Sequence, residues 1–315
     1  MIIEPERGAA DDDPFGPHRA RPALPEPTPS AVAAPPARAC DGRVRRLLVP
    51  LLVCVLLLTG LAPAASAAKP AAAAAPVDYV ALGDSYAAGV GAAPDGRSGD
   101  CRRSEQGYPA RWAARNDPAT FVSVACSGAT TGQVLIKQVR TVSRQTDLVT
   151  ITVGGNDTGF APVLGICSTA KDDAACDRAV RGGERAARYL VPVGLTAIIG
   201  AAKLQAPKAR IVVLGYPRLF APGAACDVPL VPNAARRAAL NRGADTLNAS
   251  LRSTATRFGA RYADVSRAFA GHGVCSAEPW INGPTAPTAS GNYHPTSVGY
   301  ARGYLPALQS AAPRT

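Results

Sequence analysis

The chain has 315 residues, 47% hydrophobic and 18% charged, which fits one globular domain with a sizeable core plus processed segments. Its N-terminal 67 residues carry seven Lys+Arg and seven Asp+Glu, so the formal charge of +11 belongs to the remainder. That basic balance suits acidic surfaces such as anionic lipid or cell wall. The lack of any run of five Lys/Arg, with 5% aromatic content, weighs against nucleic acid as a partner.

Residues 1–42 form a Pro-rich, acidic extension, unusual ahead of a secretory signal, and suggest a start assigned too far upstream, with Val44 as the alternative. Residues 43–67 read as that signal. Arg43, Arg45 and Arg46 precede an apolar run from Leu47 to Leu61, and Ala65-Ser66-Ala67 follows as a small-residue cleavage site. The run is shorter than the roughly 20 residues a bilayer span needs. Cleavage after Ala67 or Ala68 is therefore favoured over a retained anchor, and Val53 is too large to precede a lipid-modified Cys54. The expected product is secreted.

Residues 68–76 are an Ala/Pro-rich tether, and residues 77–315 read as one domain without internal repeat. Strands are predicted at Val77 to Leu82, Phe121 to Val124, Leu148 to Val153, Arg210 to Leu214 and Arg261 to Val265. Helices are predicted at Tyr108 to Asn116, Thr131 to Val142, Ala186 to Gln205, Asn233 to Phe258 and Thr296 to Ser310, the fourth capped by Asn233. This alternation is that of an α/β chain, with a central parallel sheet between two helical layers in an α/β/α sandwich. In such sheets reactive groups gather beyond the carboxyl ends of the strands. Three of the five predicted strands run there into polar turns that contain glycine.

Eight cysteines are present, and Cys40 and Cys54 fall in the removed part. The remaining Cys101, Cys126, Cys167, Cys176, Cys226 and Cys275 are an even set in an exported chain, hence a disulfide framework whose connectivity the spacings leave open. With no C-x-x-C and two histidines after processing, no metal site is expected.

The first strand ends in Leu82-Gly83-Asp84-Ser85-Tyr86, a tight turn with small neighbours that leave a serine hydroxyl accessible. The alternative is a turn in which Asp84 or Ser85 only caps a helix. A serine nucleophile needs a base, and histidine is the usual one. His294, in Gly291-Asn292-Tyr293-His294-Pro295 just before the last helix, can face the nucleophile across the strand tops, whereas His272 reads as a loop residue. The third strand runs into Gly154-Gly155-Asn156-Asp157, where Asn156 could donate to an oxyanion or could only close an Asx-turn. Gly128, after the second strand, could offer a backbone N–H or merely relieve crowding beside Cys126. Gly-x-Ser-x-Gly is absent around Ser85, which argues against the nucleophile elbow of α/β-hydrolases.

Gly83-Asp84-Ser85-Tyr86, Gly128, Gly154-Gly155-Asn156-Asp157 and His294-Pro295 occur in the order and approximate spacing of the four blocks of SGNH (GDSL-like) hydrolases. From about Val77 onward the chain resembles the secreted bacterial lipase/esterase branch of that family. The resemblance implies a flavodoxin-like three-layer fold and Ser85 as nucleophile. It also implies an oxyanion hole from the Ser85 and Gly128 N–H groups with the Asn156 side chain, and the pairings Cys101–Cys126, Cys167–Cys176 and Cys226–Cys275. One departure is Gly291, where many relatives carry an aspartate three residues before the histidine. A Ser85/His294 dyad is therefore expected, with the imidazole oriented by the main-chain carbonyl of Gly291 or Asn292.

The implied activity is hydrolysis of carboxylic esters through an acyl-enzyme, as a lipase or fatty-acyl esterase, with no cofactor. Phospholipase A or polysaccharide deacetylase action on the same site is the alternative, and a non-catalytic secreted binding domain is the rival from another class. Loops at Ala161 to Tyr189 and Phe220 to Val231 are expected to wall the substrate cleft. The expected partners are an ester or lipid substrate and an anionic lipid interface, the protein acting as a monomer.

Overall fold

Runs of aliphatic and β-branched residues pair as five parallel strands in the computed structural model, which describes residues 76–93, 99–223, 225–285 and 291–312. The predicted extension at 1–42, the signal at 43–67 and residues 68–75 of the tether lie outside the described residues. The strands are β1 (Asp78–Gly83), β2 (Thr120–Ser123), β3 (Leu148–Thr152), β4 (Arg210–Leu214) and β5 (Arg261–Ala263), in the spatial order β2-β1-β3-β4-β5. Every residue of β3 is buried, as expected of a parallel strand covered on both faces.

The helices are α1 (Ser85–Ala88), α2 (Tyr108–Asn116), α3 (Thr131–Gln133), α4 (Phe160–Thr169), α5 (Asp173–Tyr189), α6 (Val191–Gln205), α7 (Ala234–Arg257), α8 (Ser297–Gly299) and α9 (Leu305–Ala311). Helices α7 and α9 both pack on β4 and β5, but α7 packs with α5 and α6 and α9 with α2, so they belong to the two helical layers on opposite faces of the sheet. The three-layer α/β/α sandwich is thus the observed architecture. The strand order reverses between β1 and β3, because the chain runs from β1 out to β2 and back. This topological switch opens a crevice beyond the carboxyl ends of those two strands, where ligands bind in open α/β sheets.

Two helical expectations need correction. The stretch expected as a loop at Ala161 to Tyr189 is helical, forming most of α4 and all of α5. Asp172 caps α5 by accepting from the Ala175 N–H, and small residues let α5 lie close against its neighbours. The single helix expected at Ala186 to Gln205 is instead the end of α5 followed by α6. Pro192, at the start of α6, has no N–H to offer the Arg188 carbonyl one turn back, so the ladder restarts there.

Candidate active site

Gly83 ends β1 at φ +137°, and an added Cβ would lie 2.2 Å from the Thr152 carbonyl oxygen, so only glycine fits this crossing of β1 and β3. Asp84 then caps α1, its Oδ1 accepting from the Tyr86 N–H at 3.0 Å, while its own N–H donates to Thr152 O at 2.9 Å. Ser85 is thereby held as the first residue of α1, directly over the sheet edge.

His294 arrives from the other end of the chain. Its N–H donates to Gly291 O at 3.2 Å, and its carbonyl accepts from the Asn282 N–H at 2.9 Å, which fixes the loop. The preceding Tyr293 sits at φ +59°, a left-handed conformation held by a 2.6 Å bond from the Tyr86 hydroxyl to its carbonyl and by ring contact with Phe220. The imidazole packs 4.9 Å from the Tyr86 ring.

These two elements bring His294 Nε2 to 2.8 Å from Ser85 Oγ. His294 Nδ1 lies 2.9 Å from the Asn292 carbonyl oxygen. A carbonyl only accepts, so Nδ1 carries the proton and Nε2 presents its lone pair to the serine O–H. Of the two carbonyls expected to orient the ring, Asn292 meets it, while Gly291 bonds the main chain of the same residue. Removal from water, only partly offset by the Asn292 bond, lowers the His294 pKa to about 4, and the positive charge of Arg102 acts in the same direction.

The candidate donors lie at the facing strand ends. Neither the Ser85 N–H nor the Gly128 N–H donates to another described residue. Gly128 is exposed at φ +79°. Asn156 Nδ2 gives one proton to Ala129 O at 3.0 Å, which ties its turn to the Gly128 turn and leaves a second amide proton. Asp157 secures the same turn, its carboxylate accepting from the Thr131 N–H and hydroxyl. His272 is not part of this assembly. It stacks on Trp280 at 3.6 Å, with Nδ1 2.9 Å from Glu278 O. Disulfides join Cys101 to Cys126, Cys167 to Cys176 and Cys226 to Cys275.

A cleft open to solvent at its mouth runs from Ser85 between the strand ends and helices α4, α5 and α7. Val163, Val180, Leu219, Leu240 and Leu247 give it an apolar lining. Among the described residues no group of three or more His, Cys, Asp and Glu side chains is placed to hold a metal. Sequence reasoning missed three contributors to this site: Tyr86, Tyr216 and the buried carboxylate of Asp84. Tyr216 had a usable signal, since Leu214-Gly215-Tyr216 is another strand end that leads into a glycine.

A parallel sheet with serine and histidine joined at its switch point defines the class as serine hydrolases of α/β/α build. The family model for the GDSL-like lipase/acylhydrolase family matches residues 81–302. A lipase of Streptomyces rimosus is 44% identical over 262 residues, covering 83% of this chain and 95% of the relative. Lipase 1 of Streptomyces coelicolor is 41% identical over 256 residues, covering 81% and 92%. The crystal structure of the extracellular S. rimosus lipase superposes with TM-score 0.71 at 43% identity, over 75% of this chain and all of the other. That of phospholipase A1 from Streptomyces albidoflavus NA297 gives 0.72 at 41%, over 76% and all. The chain belongs to the GDSL-like lipase/acylhydrolase family.

Proposed function

We propose that the protein is an exported lipase or fatty-acyl esterase in which Ser85 is the nucleophile and His294 its base. The observation that carries this reading is the relay from Ser85 Oγ to His294 Nε2 at 2.8 Å, with Nδ1 anchored 2.9 Å from Asn292 O. His294 takes the Ser85 proton as Oγ bonds to the ester carbonyl carbon, and the carbonyl electron pair moves to oxygen. The Ser85 and Gly128 N–H groups and the Asn156 amide receive that oxyanion, each donor contributing about 3 kcal/mol. Collapse expels the alcohol, which leaves with the proton from Nε2. Water, deprotonated by the same nitrogen, then attacks the acyl-enzyme and frees the acid. A carbonyl at Nδ1 fixes the tautomer but stabilises the imidazolium less than a carboxylate would.

The apolar cavity beside Ser85 supports an acyl chain as the bound group. Phospholipase A1 action is the second reading, favoured by the similarity to the S. albidoflavus enzyme together with the basic surplus of the chain. Export rests on the signal-like residues 43–67 and on the disulfides, which persist in oxidising compartments.

The test is fluorophosphonate labelling with mass mapping, followed by p-nitrophenyl esters from acetyl to palmitoyl and a phosphatidylcholine. The expected label is on Ser85, with turnover rising into the longer acyl esters. Absence of label on Ser85 in folded protein would falsify the assignment. Preference for the phospholipid would select the second reading.

A further inference from the structure

Tyr216 contacts both the nucleophile turn and the Gly155 turn but none of the reacting atoms. Its backbone is clamped by Asn248 of α7, whose Oδ1 accepts from the Tyr216 N–H and whose Nδ2 donates to the Tyr216 carbonyl, both at 2.8 Å. Its ring is 5% exposed and meets the Tyr86 ring edge-on at 5.0 Å. Its hydroxyl donates to Asp84 Oδ2 and accepts from the Gly155 N–H at 3.2 Å. A phenol has one proton, and here the Asp84 carboxylate holds it, so none is left for a substrate oxyanion.

The two groups bridged by this hydroxyl have a notable position in the chain. Asp84 immediately precedes Ser85, and Gly155 immediately precedes Asn156. Two of the three candidate oxyanion donors therefore each follow a residue fixed by the same oxygen atom. Asp84 is 1% exposed, and among the described residues no cation pairs with it. It thus depends on hydrogen bonds from Tyr216 and Tyr86 to stay in place. A buried acceptor without its donors is expensive, which makes the bridge stiff in a way a surface contact is not.

We infer that Tyr216 is a positioning residue whose hydroxyl sets the separation between the nucleophile turn and the amide-bearing turn, so that their donors converge on the tetrahedral intermediate. The inference rests on the serine-esterase reading above. Donor placement is a property of the transition state, so losing the bridge lowers kcat and leaves ground-state binding in the apolar cavity largely intact.

The experiment compares wild type, Tyr216→Phe, Asp84→Asn and Tyr79→Phe of the full chain on p-nitrophenyl butyrate, with an alkylboronic acid as the tetrahedral analogue. Tyr216→Phe keeps the ring and is expected to lower kcat about ten- to a hundredfold, as sub-ångström to ångström misplacement does, with KM within about twofold. Boronate affinity should fall by the same factor as kcat. Tyr79→Phe deletes an equally buried hydroxyl, bonded to Thr150 Oγ1 at 2.9 Å in the same sheet, and is expected to lower thermal stability without changing kcat. Should Tyr216→Phe fail to fold, Asp84→Asn gives the second reading. It nearly preserves shape but exchanges an acceptor for a donor facing Tyr216, and the same kcat-selective loss is expected. Unchanged kcat in the folded variant, a loss residing in KM, or unaltered boronate affinity overturns the inference. If wild type itself is neither labelled at Ser85 nor active, it is the esterase reading that has failed.

Discussion

The polar frame around Ser85 and the helical wall facing it are built on opposite principles. In the frame, Asp84, Tyr86, Tyr216 and His294 each hold specific hydrogen bonds, and the glycine crossing at Gly83 excludes any side chain. In the wall, α5 and α7 present mostly leucines, valines and glycines to the cavity, while much of their charge sits outside in ion pairs such as Arg242 with Asp177 and Arg218 with Asp245. Hydrogen bonds are directional and fix atoms; apolar contact is not, and fixes only volume. The frame should therefore govern whether an ester is cleaved, and the wall which ester is preferred.

The largest effect belongs to the frame's centre. Ser85→Ala and His294→Ala are each expected to lower kcat on the order of 10⁴-fold or more, with an unchanged circular dichroism spectrum. Either variant retaining a tenth of wild-type turnover would dissolve the contrast at once. Asn156→Ala comes next, with a loss of about 10²- to 10³-fold in kcat at similar KM. Because Asn156 also bonds Ala129 O, part of any fall in melting temperature reports that second contact.

The same contrast explains what the sequence made readable. Gly83-Asp84-Ser85, Gly154-Gly155-Asn156 and His294-Pro295 are short words at strand and helix ends, where local backbone demands and chemistry coincide, so they stand out individually. The central strands were equally plain, since β1, β3 and β4 are short runs rich in aliphatic and β-branched residues and almost wholly buried. The Tyr216 bridge to Asp84 spans 132 residues, so although Tyr216 follows a strand end that leads into Gly215, nothing in the sequence joins it to Asp84. The wall was misread for another reason. Its α5 mixes Gly182-Gly183 with alanine and arginine, a composition that suggests a loop until the neighbours that bury Val180 and Ala187 are in view. Helical stability there comes from tertiary packing, which single-chain patterning does not register.

A change in the wall should alter selectivity alone. Gly243 of α7 lines the cavity, and a Cβ there would meet Val180 Cγ1 at 3.4 Å, close but not overlapping backbone. Gly243→Leu fills the space that two or so acyl methylenes occupy, at roughly 0.8 kcal/mol each. The expected result is about a tenfold fall in kcat/KM for palmitoyl esters relative to acetyl esters. Equal losses across the ester series would mean that the wall, too, controls the chemistry.

Acid should act on the frame weakly. His294 must be neutral to serve as base, and its pKa near 4 keeps it so below the range of an ordinary histidine; in Asp84→Asn, where Asp84 no longer titrates, kcat/KM at pH 5.5 should stay within about twofold of its value at pH 8. An acid limb centred near 6.5 would instead mean that water reaches the ring freely. Stability carries two opposed trends. The unfolded chain protonates His294 near 6.5 while the native one resists, so that contribution is lost as pH falls from about 6.5 toward 4. Burial raises the Asp84 pKa to about 7, so the native state retains a proton the unfolded chain releases near 3.8, and that contribution is lost as pH rises through about 7. Asp84→Asn abolishes the second trend, and its melting temperature relative to wild type should climb between pH 5 and 8.

The smallest effect is expected at Gly291, which stands three residues before His294 and has no side chain to act as the third member of a carboxylate-based triad. Gly291 does not occupy the left-handed region, and an added Cβ would find only the Gly91 Cα at 3.7 Å, an ordinary contact. The atom that orients the imidazole is the carbonyl of Asn292, one residue on, and a methyl group at Gly291 leaves that carbonyl in place. Gly291→Ala should accordingly change kcat/KM by less than about twofold, within the range of surface substitutions. A loss approaching that of His294→Ala would show that the ring depends on the Gly291 backbone itself, and the frame would then be less rigid than its hydrogen bonds imply.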